Sequence, residues 1–142
     1  MKTRFLPLFT AAVLSAAAML SCAQSGPRIL TSSVKLIRVQ EPSGEFSERL
    51  SVFALFEDED GKEDFSSITV RHEDSGVFWF LEARDVEARI RGPDRWIGSS
   101  SLAPSPEPEF PDGDYTVSAA DLAGNKAFHT FTLNRPDFPD TV

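Results

Sequence analysis

The chain holds a single cysteine, two histidines, two tryptophans and one tyrosine in 142 residues. One cysteine excludes an intrachain disulfide, and two isolated imidazoles, His72 and His129, without neighbouring cysteines make a poor zinc site. Positive charge is scarce as well. Fourteen lysines and arginines stand against 22 aspartates and glutamates, for a net charge of −8. That balance disfavours nucleic acid and anionic lipid surfaces and favours cations or basic partners. No phosphate loop or dinucleotide fingerprint is present. Ser99-Ser100-Ser101 is not set in the glycine pattern of a nucleophile elbow. The chain therefore reads as a binding or structural protein and not as an enzyme.

Long apolar runs are lacking beyond the amino terminus. The one that exists, Phe5 to Leu20, has sixteen residues and is interrupted by Pro7. It falls short of the roughly 20 that cross a bilayer. Lys2 and Arg4 precede it, and the small residues Ala16, Ala17, Ala18 and Ser21 close it, which is the build of a secretory signal. The next residue is the lone cysteine, Cys22. Met19-Leu20-Ser21-Cys22 resembles the lipobox of bacterial lipoproteins. The resemblance implies cleavage before Cys22, acylation of its thiol with fatty acids such as palmitate, and anchoring to a membrane of the cell envelope. Ala23 is not aspartate, so in a two-membrane envelope of the enteric type the expected destination is the outer membrane. Two or more acyl chains hold a protein on a bilayer stably, where one does not. Loss of residues 1–21 removes two cations and no acid, and takes the balance to −10.

The remainder suits one domain. Short apolar runs alternate with turn clusters from Ser33 onward. Val34 and Leu36 share one face, then Ile37 and Val39 the other, which suggests a bulge or a change of sheet there. Leu50 to Phe56 is apolar on both faces, as in a central strand. Ile68, Val70 and His72 alternate with polar residues, Asp74-Ser75-Gly76 turns the chain, and Val77 to Leu81 returns as an aromatic strand. Residues 82–91 have mixed propensities and lean to strand. Ser99 to Gly113 reads as loop, since four prolines fall between Pro104 and Pro111. Tyr115 to Asp121 and Lys126 to Leu133 form a last hairpin. The count is about seven strands, with spacing that suits a two-sheet antiparallel sandwich.

The stretch "PDGDYTVSAADLAGNKAFHTFTL" is the most specific. Tyr115 follows an Asp-Gly corner and opens an alternating strand, the setting in which a phenol bonds back to the preceding loop. Asp121 enters a turn whose amides its side chain can accept. Gly113, Tyr115, Val117, Asp121, Gly124 and Asn125 resemble the final hairpin of bacterial immunoglobulin-like (Big-type) domains. The resemblance implies an immunoglobulin-like β-sandwich with an adhesive or spacer role and no fixed ligand. The expected organisation is a signal peptide (1–21), a lipidated tether (22–32), the sandwich (33–134) and a tail (135–142) that frays.

Two groups of side chains invite chemistry. "EDEDGKED" does not fit an EF-hand, because aligning Gly61 to the turn glycine puts Phe56 and Ser67 at ligand positions. An immunoglobulin-like order would instead bring this loop beside the Asp121–Asn125 turn. Asp58, Asp60, Asp64, Asp121 and Asn125 could then converge on calcium; otherwise the loop is a solvated acidic turn, and no cofactor is implied. Among the aromatics, Phe78 and Phe80 point opposite to Trp79 along a strand. Trp96, after Gly92-Pro93, is the better candidate for an exposed ligand platform. Both histidines fall on apolar faces and read as satisfied core residues. The function expected is a lipid-anchored envelope protein that displays a binding or structural module. Its partners would be the membrane, through the lipid, and an envelope or extracellular protein. The alternatives are a carbohydrate- or small-ligand-binding lipoprotein using the aromatics, or an accessory domain of an envelope hydrolase system.

Overall fold

Alternation of apolar and polar residues turns into eight strands in the computed structural model, which describes residues 25–61 and 63–138. The signal run and Cys22 lie outside the described residues. The strands are β1 (Arg28–Gln40), β2 (Phe46–Glu57), β3 (Phe65–His72), β4 (Phe78–Glu82), β5 (Glu87–Arg91), β6 (Asp94–Leu102), β7 (Gly113–Asp121) and β8 (Lys126–Leu133). A single turn of 3-10 helix, Ala83–Asp85, carries the chain from β4 towards β5.

All pairs are antiparallel, and the strands form two four-stranded sheets, β1-β2-β6-β5 and β4-β3-β7-β8. The first has the order of the ABED sheet of immunoglobulin-type sandwiches. The second has the order of their CFG sheet, with β4 added outside β3. Period-2 alternation on β2 sends Leu50, Val52, Ala54 and Phe56 inward, where they meet Ile68 and Val70 of β3 and Tyr115, Val117 and Ala119 of β7. Each of the leucine, isoleucine, valine and phenylalanine side chains, removed from water, contributes on the order of 1.5–3 kcal/mol.

The described residues form eight strands where the sequence pattern suggests about seven. Asp94 to Leu102 contains aspartate, glycine and three serines, all poor strand formers, yet β6 lies between β2 and β5 and pairs with both. Two flanking ladders outweigh local propensity. Gly98 has a specific place in this arrangement. A β-carbon there would stand 1.9 Å from the Val52 carbonyl oxygen, so only glycine permits the close approach of β6 to β2.

The structure departs from the sequence pattern at three further points. The irregularity in β1 falls between Ile29 and Ser32, and the ladder with β2 is continuous from Ser32 to Gln40. Ile37 and Val39 simply face outward on an edge strand. Strand β1 also begins at Arg28, so residues 28–32 belong to the sheet and not to a tether. The tail does not fray at its start. The Arg135 guanidinium pairs with both carboxylate oxygens of Glu48 and donates to the Phe110 carbonyl at 2.7 Å, while its backbone N–H donates to Asp112 at 2.9 Å. Glu48 is 6% exposed and also accepts the Phe110 N–H at 2.9 Å.

The loop between β6 and β7 is fixed by the same contacts. Phe110 is fully buried and packs on Trp79, ring centroids 5.1 Å apart. The Trp79 indole donates to the Ala103 carbonyl at 2.7 Å, which places Trp79 inward and leaves Phe78 and Phe80 exposed outward. Tyr115 completes the corner. Its ring is wholly buried, and its hydroxyl donates to the Pro111 carbonyl at 2.6 Å. Burial, with the nearby Asp112 carboxylate, pushes the phenol up to about 12.

Candidate functional site

The acidic loop and the β7–β8 turn meet at one end of the sandwich, because β3 and β7 pair from Phe65 and Asp121 onward. The Leu122 N–H contacts both the carbonyl and the carboxylate of Asp64 at 3.3 Å. Asp58, Asp60 and Asp64 each direct one oxygen into a group whose members lie within 4.8 Å of one another. Asp58 shapes the loop, its Oδ1 accepting the Asp60 N–H at 2.9 Å. Its Oδ2 is buried and has no hydrogen-bond partner among the described residues. Loss of surrounding solvent, then the charges of Asp58, Asp64, Asp121 and Glu59, hold the Asp60 carboxyl above its ordinary range.

Asp121 and Asn125 do not join this group. They are committed to each other, the Asp121 carboxylate accepting the Asn125 backbone N–H and its side-chain amide, both at 2.7 Å. Burial pushes Asp121 up, but hydrogen bonds from Asn125, Gly124 and Ala123 more than offset it and hold the carboxyl below its ordinary range. The pair closes a turn through Gly124, which has a positive φ of 90°. The five-ligand set expected from the sequence therefore contracts to three carboxylates, where calcium takes six to eight oxygens.

Trp96 sits elsewhere, on the outer face of the β1-β2-β6-β5 sheet. It lines a shallow hollow of about 70 Å³ with Ser33, Phe53, Arg89 and Arg91. Arg89 and Trp96 face each other across the β5–β6 ladder, and Ser33 faces Phe53 across β1–β2. The Arg89 guanidinium lies 3.7 Å from the Phe53 ring centroid and 3.7 Å from the Glu87 carboxylate. Glu87 is held in turn by the Ser100 hydroxyl and N–H, which keep its carboxyl below the ordinary range. Arg91 is exposed and forms no ion pair among the described residues, although Asp94 is its ladder partner. Composition and pattern pointed to Trp96 but not to Phe53, Arg89 or Arg91. Their convergence depends on β6, which local propensity hides.

The histidines do not form a catalytic centre among the described residues. His72 is 4% exposed. Its Nδ1 accepts the Ser75 N–H at 3.2 Å, with the Ser75 hydroxyl 2.7 Å away, and its Nε2 bonds the Asp112 carbonyl at 3.0 Å. Both ring nitrogens are thus occupied in holding the β3–β4 turn to the β6–β7 loop. His129 is half-buried on β8. No protein-family model matches the chain, and no curated protein matches it.

Proposed function

We propose that this chain is a lipid-anchored envelope protein that presents an immunoglobulin-like sandwich as a binding or structural module and acts without catalysis. The observation that carries the reading is the signal-like run that closes on Cys22, only six residues before β1 starts at Arg28. Six residues of extended chain reach at most about 20 Å. The short connection also supports an orientation. Ser25 donates to Glu59 at 2.5 Å and Gly26 lies against Asn125, so the chain enters the sandwich at its acidic end. With Cys22 acylated, the Asp58–Asp64 loop and the Asp121–Asn125 turn face the bilayer, and the 103–112 loop faces away from it.

Metabolic labelling with an alkynyl fatty acid tests the reading. The wild-type chain should take up label and sediment with outer membranes, and Cys22→Ala should lose the label and appear in a soluble fraction. A wild-type chain that remains unlabelled would refute the anchor, and recovery only with inner membranes would refute the destination.

A further inference from the structure

We propose that the Trp96 hollow binds a uronate unit of an acidic polysaccharide, with the sugar ring on Trp96 and its carboxylate paired with Arg91. The proposal deepens the reading as a binding module by naming the class of ligand.

The charge on this face is local. On the outer side of the β1-β2-β6-β5 sheet, alternation places Arg28, Lys35, Arg49, Arg89 and Arg91 against Glu57, Glu87 and Asp94. Among these strand residues cations outnumber carboxylates, on a chain whose net charge is −8, and just beyond the strands Glu41 pairs with Arg49 at 3.8 Å and Glu59 with Arg28 at 3.9 Å. Two of those carboxylates are already paired, Glu57 with Arg28 at 3.3 Å and Glu87 with Arg89. Arg91 is the arginine of this face with no ion pair among the described residues, and a guanidinium fork matches a carboxylate bidentately.

The shape selects a polymer. An enclosed small-molecule site has roughly 300–1,000 Å³ and surrounds its ligand. This hollow has about 70 Å³ and opens onto a sheet face, so it grips one side of a ligand and leaves both ends free to continue. An aromatic face is electron-rich and receives the C–H face of a sugar. The platform is also rigid. Phe53 is 3% exposed under Arg89, and Gly98, beside it on the ladder, has no side chain to fill the hollow. Ser33 adds a hydroxyl for a sugar oxygen.

The test uses the full chain in detergent, titrated at constant ionic strength with oligogalacturonate and with its methyl-esterified, uncharged form. The chain has two tryptophans, and Trp79 is packed in the core, so Trp96 should report binding by fluorescence. The free acid should bind at least about tenfold more tightly than the ester. Arg91→Gln should lose about tenfold in affinity, Trp96→Ala should abolish binding by calorimetry, and Lys126→Gln on the opposite sheet should change nothing. Equal affinity for acid and ester would overturn the proposal. So would an Arg91→Gln variant that binds as well as wild type, or a folded protein, by circular dichroism, that binds no galacturonate, glucuronate or mannuronate oligomer. Uronate binding by a chain that takes up no fatty acid would overturn the anchor alone, and the converse would overturn this proposal alone.

Discussion

Replacing Arg135 with methionine should be the most damaging single change at the surface of this protein. The variant keeps much of the aliphatic bulk and removes the guanidinium. Glu48, 6% exposed, would retain only the Phe110 N–H as a protein partner. Removing one member of a buried pair costs about 3–5 kcal/mol, because the remaining charge is left uncompensated. Domains of this size have about 5–15 kcal/mol in total. At about 4 °C per kcal/mol the melting temperature should fall by roughly 12–20 °C. Urea denaturation followed by circular dichroism measures the loss directly. Adding Glu48→Leu should recover part of it, since an apolar pair avoids the desolvation penalty. The double variant should still lie about 1–3 kcal/mol below wild type, because the Phe110 N–H and carbonyl lose their partners. Two truncations sharpen the test. A chain ending at Arg135 should match wild type within about 0.5 kcal/mol, and one ending at Asn134 should show the full deficit. A cost below about 1 kcal/mol for Arg135→Met would refute the clamp.

Tyr115→Phe should cost about 1–3 kcal/mol by leaving the Pro111 carbonyl unpaired, and an unchanged denaturation midpoint would show that the corner bond adds nothing. The phenol is raised to about 12 in the folded chain, so the unfolded chain releases its proton first, near pH 10. Stability conferred by this group is complete below about pH 10 and lost towards pH 12, at about 1.4 kcal/mol per unit. Tyr115 is the only tyrosine, so phenolate absorbance reads it alone, and Tyr115→Phe should remove this slope from the alkaline denaturation curve. Gly98→Ala should prevent folding or cost more than about 4 kcal/mol, since its methyl group would overlap the Val52 carbonyl; a soluble, native-like variant would show that β6 can move away from β2. Asp60→Asn should raise the melting temperature in low salt and have little effect in high salt, because it removes one of several mutually repelling carboxylates; no change at low salt would mean that those charges do not meet.

The parts of the fold that were legible in the sequence are those decided by near neighbours. The β3–β4 hairpin and the Tyr115 corner follow from alternation and turn residues a few positions apart. The commitment of Asp121 to the amides of its own turn follows from short-range chemistry of the same kind. That chemistry also removes Asp121 and Asn125 from the ligand set that an immunoglobulin-like strand order offers. What stayed hidden depends on distant segments. Strand β6 looks like loop until β2 and β5 are placed on either side of it. Arg135 looks like the start of a tail until the sandwich brings Glu48, 87 positions earlier, beside it. The Trp96 hollow draws on four strands, so the sequence shows Trp96 as an aromatic while Arg89 and Arg91 look like ordinary surface cations.

The chain enters β1 at one end of the sandwich and leaves β8 at the other, where Arg135 fastens it. Tension between those two points runs parallel to the strands. Antiparallel hydrogen bonds lie across the strand direction. A pull on Arg28 therefore shears the β1–β2 ladder, which runs from Arg28 opposite Glu57 to Gln40 opposite Phe46, and loads its bonds together instead of peeling them one after another. A domain held at its amino end and gripped at its far end would meet drag as a shear-loaded clamp.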